Sequence, residues 1–161
     1  MRTSNKSSQK GITLIEILVT VIILAIGFLG LASVQLLGTR NISSSNYRSL
    51  ATIYAHDIVE RMRSNQTGVD FGAYNNTNSE DGVDPGCSPC SPAELAQLDL
   101  FQWNTLMTSN PVQGGLPNGN GTIDYSDATE QFTVTITWSE NTIDDAGPGL
   151  QDQTYQLVVR L

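Results

Sequence analysis

The chain has 161 residues, which is room for one domain of ordinary size and an additional segment. It carries 16 Asp and Glu residues against 8 Lys and Arg, giving a formal net charge of −8 at pH 7. No basic residue lies between Arg63 and Arg160, whereas acidic residues recur throughout that stretch. Because nucleic-acid affinity rests largely on basic side chains that neutralise phosphates, this composition argues against DNA or RNA binding by the C-terminal part.

The N-terminal segment combines a short basic leader with a long apolar run. Three basic residues and no acidic one precede Gly11, and residues 17–34 are uncharged, with only Thr20 and Ser33 as polar interruptions. An apolar run of about 18 or more residues can span a bilayer as a helix. By the positive-inside rule, the basic leader places the N terminus in the cytoplasm and the C-terminal part outside.

A secretory signal peptide is the alternative interpretation of such a start. Its apolar region has about 7 to 15 residues and ends at small residues that mark the cleavage site. The apolar run here continues to Leu37, which is too long for that class, although Ala32 and Ser33 could imitate a cleavage site. A retained membrane helix is therefore the leading interpretation, with the signal peptide as its alternative.

Glu16 is the anomaly of this segment. A charged side chain in the hydrocarbon core costs about 2.5 to 3.5 kcal/mol, less near a helix end, so Glu16 needs a partner or a function. In one interpretation it lies at the headgroup level and is merely solvated. In the other, a cut after Gly11 frees an amine on Ile12, one helical turn or about 6 Å away. The helix dipole also favours a carboxylate in the first turn.

The run Gly11-Ile12-Thr13-Leu14-Ile15-Glu16, between the basic leader and the apolar helix, resembles the class III signal of type IV pilins and pseudopilins. The resemblance implies that residues 1–11 are removed by a prepilin peptidase and that Ile12 is N-methylated. Most family members carry Phe where this chain has Ile12, a mild departure. The resemblance also implies that Glu16 neutralises the N-terminal amine of a neighbouring subunit as the subunit docks into the filament.

A single long helix is predicted from about Thr13 to about Ser64, because no proline occurs before Pro85. Residues 12–38 form its transmembrane and filament-core part, and residues 39–64 its amphipathic continuation. In that continuation, apolar residues recur at three- and four-residue steps, which predicts packing against the globular domain. These residues are Tyr47, Leu50, Ala51, Tyr54, Ile58 and Met62.

Polar residues of the same stretch fall mostly on other helix faces. His56, the only histidine, is predicted to be an exposed helix residue rather than a ligand or base. Asp57 and Arg61 are four apart, a spacing that forms an ion pair on a helix surface.

The globular domain is predicted over residues 65–161. Residues 65–90 lack periodicity and are interpreted as a long surface connection. Ser91, Pro92 and Glu94 form a helix-start signature, and the helix is expected to run to Ser109. Its apolar residues available for burial are Leu95, Leu98, Phe101, Trp103 and Leu106.

The remaining periodicity predicts strands. In residues 131–138, Phe132, Val134, Ile136 and Trp138 alternate with polar residues, which indicates a strand with one buried face. Residues 122–125 and 154–161 are predicted as neighbouring strands, with residues 141–152 as a loop. A long helix followed by antiparallel strands predicts an α+β protein with a type IV pilin-like fold.

Cys87 and Cys90 are the only cysteines, and a disulfide is the leading interpretation because the expected location is oxidising. A redox-active C-x-x-C at a helix start is the alternative, although no βαβ pattern surrounds it. Two cysteines and one histidine are too few for zinc.

Residues 118–124 resemble a calcium loop only faintly, since early acids and the terminal Glu are missing. No spacing singles out a catalytic triad, so no cofactor and no enzyme activity are expected.

Further short segments are similar to minor pilins of the PilV family, the type IV pilus modification proteins. They are residues 90–99, Trp103, residues 116–119 and residues 133–138, in that order. The resemblance implies a structural minor subunit of the inner membrane and then the cell-surface pilus. Its partners would be other pilins and minor pilins, a tip adhesin and the prepilin peptidase that also methylates. The alternatives are a pseudopilin of a type II secretion system and a membrane-anchored periplasmic thiol enzyme.

Overall fold

The computed structural model of the chain describes residues 13–144 and 147–161. The leader, the expected cut site at Gly11 and the new N terminus at Ile12 lie outside the described residues. The chain divides into two compact units, residues up to Ser43 and Ser44–Leu161.

Helix α1 covers Leu14–Ser64 without interruption, in agreement with the predicted long helix. In the Ser44–Leu161 unit, the part of α1 from Ala51 to Met62 presents a buried stripe to the core. The stripe contains Ala51, Tyr54, Ala55, Ile58, Val59 and Met62. The predicted amphipathic face is therefore confirmed, with Tyr47 and Leu50 only partly buried beside it. His56 is exposed, as expected.

A four-stranded antiparallel sheet faces this core, with its strands in the order β1-β2-β3-β4. The strands are β1 (Thr77–Asn78), β2 (Asn120–Ser126), β3 (Gln131–Asp144) and β4 (Gly147–Val159). Phe132, Val134, Ile136 and Trp138 of β3 are all buried, so the predicted alternation is confirmed. The α+β fold class is confirmed with it.

The prediction of a loop over residues 141–152 was wrong for its described part. Residues up to Asp144 belong to β3 and residues from Gly147 belong to β4, which pair as far as Asp144 with Gly147. Strand β2 covers β3 only as far as Thr137, so the hairpin continues beyond the rest of the sheet as a two-stranded ribbon. Residues Gly149 to Asp152 are all exposed. No alternation of polar and apolar residues marks the ribbon, because that alternation arises only where one face is buried.

The prediction of a plain surface connection over residues 65–90 was also incomplete. This stretch contains the short helix α2 (Gln66–Asp70), strand β1 and a 3-10 turn over Ser79–Asp81. Tyr74 and Ser79 within it are fully buried. Their burial depends on contacts with distant residues, which leave no periodic signal in the sequence.

Helix α3 covers Pro92–Thr108 and begins at the predicted capping box. The Ser91 side chain accepts a hydrogen bond from the Glu94 amide, and the Glu94 carboxylate accepts one from the Ser91 amide at 2.8 Å. The Ser91 hydroxyl also donates to the Glu94 carboxylate at 2.6 Å, and this bond, followed by the one from the Ser91 amide, lowers the pKa of the Glu94 carboxyl.

The buried face of α3 differs from the prediction, and of the five expected residues only Trp103 is fully buried. Phe101 and Leu106 are exposed. The face that contacts the core instead consists of Ala96, Asp99, Leu100, Trp103 and Met107. Because the acid Asp99 lies on the buried face, the apolar residues of the sequence indicate a different face of the helix from the one that is buried.

Candidate functional site

The start of α1 places an acidic side chain at the edge of the apolar segment. The Thr13 carbonyl accepts hydrogen bonds from the amides of Glu16 at 3.0 Å and Ile17 at 3.4 Å, which close the first turn. Glu16 therefore lies in that turn, where the partial positive charge of the helix N terminus favours a carboxylate. Ile12, whose amine a cut after Gly11 is expected to free, lies outside the described residues.

The segment behind Glu16 is apolar and uncovered. An 18-residue window within Leu14–Leu36 has a mean hydropathy of 2.8, and none of that window is buried within the chain. Leu14 is 83% exposed and Leu29 is 72% exposed. By length and composition this helix can cross a membrane, and a signal sequence would pass the same test. So large an apolar surface requires lipid or other protein around it.

Thr20 and Ser33, the two hydroxyl-bearing residues of this segment, have their hydroxyl groups satisfied by the helix itself. Thr20 Oγ1 donates to the Ile17 carbonyl and Ser33 Oγ donates to the Gly30 carbonyl, both at 2.8 Å. Neither hydroxyl therefore carries an unmet donor into an apolar phase. Glu16 is the charged residue of Leu14–Leu36, and an apolar phase does not neutralise its charge.

The cysteine pair lies in the globular unit, close to the start of α3. Cys87 and Cys90 form a disulfide with Cα atoms 5.0 Å apart. Ser91, which caps α3, follows directly, so the bridge constrains the chain that enters that helix. The sheet is antiparallel throughout its described pairings, and no βαβ unit surrounds the cysteines. This setting gives the thiol-enzyme alternative no support.

The described parts of the chain contain no candidate metal-binding site. Among residues 13–144 and 147–161, no group of three or more His, Cys, Asp and Glu side chains could hold an ion. The faint calcium-loop pattern begins at Asn118, which adopts a positive φ of 51° in a turn. From Asn120 onward the pattern lies within strand β2, so it does not form a loop.

The globular unit contains a buried polar cluster that the sequence does not predict. Asp99 on the buried face of α3 accepts hydrogen bonds from the Tyr74 hydroxyl at 2.6 Å and from Arg61 Nη1 at 3.4 Å. Arg61 also pairs with Asp57 at 2.8 Å, the predicted i,i+4 contact. Asn65 Nδ2 donates to the Tyr74 hydroxyl oxygen at 3.0 Å.

The cluster links three segments of the globular unit: the end of α1, the stretch before β1 and α3. Burial, reinforced by the hydrogen bond to Asp99, raises the pKa of Tyr74. A mid-helix Asp between Ala96 and Trp103 was the only local signal of this cluster. Its partners are 25 and 38 residues away, so the sequence alone does not identify them.

Comparison with known protein families supports the interpretation of the N-terminal segment. A family model described as the prokaryotic N-terminal methylation motif matches residues 6–32. The match covers part of the leader, the expected cut site, Glu16 and the first part of α1, and it supports a type IV pilin-like family. Comparisons with curated proteins and with solved structures give no match.

Proposed function

We propose that this chain is a minor pilin of a bacterial type IV pilus, of the PilV type, and that Glu16 guides its docking into the fibre. The position of Glu16 carries the proposal. It is a carboxylate in the first turn of an apolar helical segment, Leu14–Leu36, that nothing in the chain covers. The methylation-motif match over residues 6–32 supports the coarser part of the proposal, a subunit of the type IV pilin-like family.

In this mechanism, a prepilin peptidase on the cytoplasmic side cuts after Gly11 and methylates the new amine of Ile12. The apolar segment then holds the subunit in the inner membrane, with the globular unit in the periplasm. An unpaired carboxylate at the edge of the hydrocarbon costs up to about 2.5 to 3.5 kcal/mol. The N-terminal amine of an adjacent subunit offsets this cost when it pairs with Glu16.

Such a pair also fixes the axial register of docking. A slip of one helical turn moves the two charges apart by about 5.4 Å, which breaks the ion pair and returns Glu16 to an unpaired state. Extraction from the membrane into the fibre then favours one alignment. In the assembled fibre, the apolar segment packs in the core and the globular unit faces outward.

A minor role in the fibre agrees with the charge of the chain. The full chain has a net charge of −8, and removal of the three basic residues of the leader makes it −11, so adjacent copies repel one another and isolated copies among other subunits are favoured. The assignment to the PilV type rests on the resemblance of short segments such as residues 90–99, where the capping box of α3 lies.

A pseudopilin of a type II secretion system is the second candidate, because the methylation motif serves that machine equally well. Gene neighbourhood separates the two. Genes for other minor pilins beside this one support the pilus, whereas genes for secretion components support the pseudopilin.

The decisive variant is Glu16→Ala, with Glu80→Ala as the control because Glu80 is an exposed acid of the globular unit. We expect Glu16→Ala to reach the membrane at wild-type levels and to fall at least about tenfold in sheared pili, since its docking interaction is lost. The control should behave as the wild type in both fractions. Wild-type amounts of Glu16→Ala in sheared pili would refute the mechanism.

Mass spectrometry of the mature chain tests the processing step independently. An N terminus at methylated Ile12 is the expected result. An intact Met1 on chains recovered from fibres would contradict cleavage after Gly11.

A further inference from the structure

A groove of about 570 Å³ opens on the Ser44–Leu161 unit, beside the turn that joins β2 to β3. Its acidic side chains come from two separate places in the chain. Asp70 ends helix α2, whereas Asp127 and Glu130 belong to the turn. Aromatic residues also line it: Phe71, Tyr125 and Phe132.

Phe71 is an aromatic residue held outward at this groove. Its side chain is 83% exposed although the backbone around it is ordered by hydrogen bonds. The Phe71 amide donates to the Thr67 carbonyl at 3.1 Å, and the Gly72 amide donates to the Val69 carbonyl at 2.9 Å. Gly72 has a φ of 72°, a value that glycine adopts without strain. An aromatic side chain displayed beside a concave surface is typical of a protein interface.

Two further aromatic residues, Tyr125 and Phe132, line the groove in positions that the sheet fixes. The Tyr125 and Phe132 rings contact each other, with centroids 4.7 Å apart. The two residues are Cα partners across β2 and β3, so the sheet sets the position of both rings. Phe132 is buried, and Tyr125 is partly exposed toward the groove.

Among the residues that the structure describes, none forms an ion pair with an acid of the groove. Arg160 is the one basic residue that lines it, and its Nη2 donates to the Thr129 carbonyl at 2.7 Å. The Asp70 carboxylate accepts a hydrogen bond from the side-chain amide of Gln66 at 3.2 Å. The ion pairs formed by the described residues involve none of the three groove acids.

We propose that this groove receives a Lys or Arg side chain from a different subunit of the fibre. The carboxylates of Asp127 and Glu130 would pair with the incoming cation, and the exposed ring of Phe71 would cover it by a cation–π contact. The inference rests on the proposed role of the chain as a fibre subunit. It adds to that role a binding site for a neighbouring subunit and the type of side chain that the site receives.

A second copy of this chain is a poor occupant. The Ser44–Leu161 unit has four basic residues, of which Arg61 and Arg63 are engaged in ion pairs within the chain, so Arg48 is the one exposed basic residue left outside the groove. Arg160 lies in the groove itself. Two such acidic units repel each other, whereas a partner segment that carries unpaired Lys or Arg is attracted.

Crosslinking in assembled pili tests this proposal. The photoreactive amino acid p-benzoylphenylalanine replaces Phe71 in the full-length chain, and a matched variant carries it at Val112, which is 93% exposed and does not line the groove. After irradiation of sheared fibres, we expect an adduct from position 71 to another subunit, within a few residues of a Lys or Arg. An adduct to a second copy of this chain, an adduct to a segment without a basic residue, or no adduct would each overturn the proposal.

Charge neutralisation provides a second test that does not alter Phe71. The double variant Asp127→Asn/Glu130→Gln should lower the amount of this chain retained in fibres by about 5- to 10-fold. The control Asp81→Asn/Asp84→Asn removes two acids away from the groove and should leave retention unchanged. Equal retention of the two double variants would overturn the proposal. Absence of the wild-type chain from fibres would instead refute the proposed function, so the two failures are distinguishable.

Discussion

Asp99 is only 6% exposed on a face of α3 that is otherwise apolar, and its surroundings explain why it is tolerated. A buried carboxylate without partners costs several kcal/mol. Here the Tyr74 hydroxyl and the Arg61 guanidinium both donate to it, and Arg61 is held in turn by Asp57. Each donor comes from a different segment, so the carboxylate joins three parts of the fold.

Tyr74→Phe tests this role at the level of one atom. The change keeps the ring but removes the donor to Asp99 and the acceptor of Asn65 Nδ2. We expect the free energy of unfolding to fall by about 1 to 3 kcal/mol, because a buried charged acceptor loses a hydrogen bond. Denaturant titration of the full-length chain in mild detergent, followed by tryptophan fluorescence, measures it. Tyr155→Phe is the control, and an equally small change in both variants would contradict the expected role.

Tyr74→Phe should also change how the free energy of unfolding depends on pH in alkaline solution. Burial and the bond to Asp99 raise the pKa of Tyr74 above its ordinary value of 10.0. Above about pH 10 the unfolded chain therefore releases this proton while the folded chain keeps it, so stability decreases as pH rises. Burial, followed by the charge of Asp57, raises the pKa of Tyr54 in the same direction. Tyr74→Phe should make the alkaline decrease shallower without abolishing it, and an unchanged slope would contradict the assignment.

At the level of secondary structure, α3 and the sheet meet at a glycine. A Cβ on Gly121 of β2 would overlap the indole ring of Trp103. That ring has little freedom to move, because its Nε1 donates to the Tyr54 carbonyl of α1 at 3.0 Å. The lack of a side chain at Gly121 therefore allows β2, α3 and α1 to approach one another closely.

Gly121→Ala should therefore destabilise the globular unit by about 1 to 3 kcal/mol, as overpacking of a filled core does. Gly149→Ala is a matched control, since it also adds one methyl group to a strand glycine but meets no atom within 4 Å. The control should change stability by no more than about 0.5 kcal/mol. Thermal unfolding by circular dichroism compares the two, and equal melting temperatures would show that Trp103 gives way freely.

The sequence predicted those elements whose burial is periodic and local. Helix α1 and strand β3 show clear periods, and the start of α3 shows a capping box within four residues. It did not predict the buried face of α3, because that face includes Asp99. It also missed the ribbon beyond Thr137, where exposed strands give no alternation. Side chains that contact distant segments, as Tyr74 does, have no local signature.

At the level of the whole molecule, the candidate assembly site is local in sequence and the groove is not. Glu16 and the residues around the expected cut site are neighbours along the chain, so a linear motif captures them. The groove combines α2 with the turn between β2 and β3, nearly 60 residues apart. Only the folded chain brings Phe71 and Glu130 together.

The division of the chain into two units leads to a final prediction. The buried core begins at Ala51 and lies within the Ser44–Leu161 unit, whereas the apolar residues of Leu14–Leu36 are uncovered. A fragment of residues 44–161 should therefore keep its core and remain monomeric in water, helped by its negative charge. Size-exclusion chromatography with light scattering and thermal unfolding measure this. We expect one cooperative transition with retained near-ultraviolet circular dichroism from Trp103 and Trp138.

A fragment that begins at Gly30 is the matched control, because it restores the exposed side chains of Leu31, Val34 and Leu36. It should self-associate unless detergent is added, since apolar surface of this extent is covered by lipid or protein in the proposed settings. A broad, non-cooperative transition of the shorter fragment would mean that residues before Ser44 contribute to the folded core. A cooperative transition would place the folding information in the Ser44–Leu161 unit and leave the N-terminal segment free for its proposed roles in the membrane and the fibre.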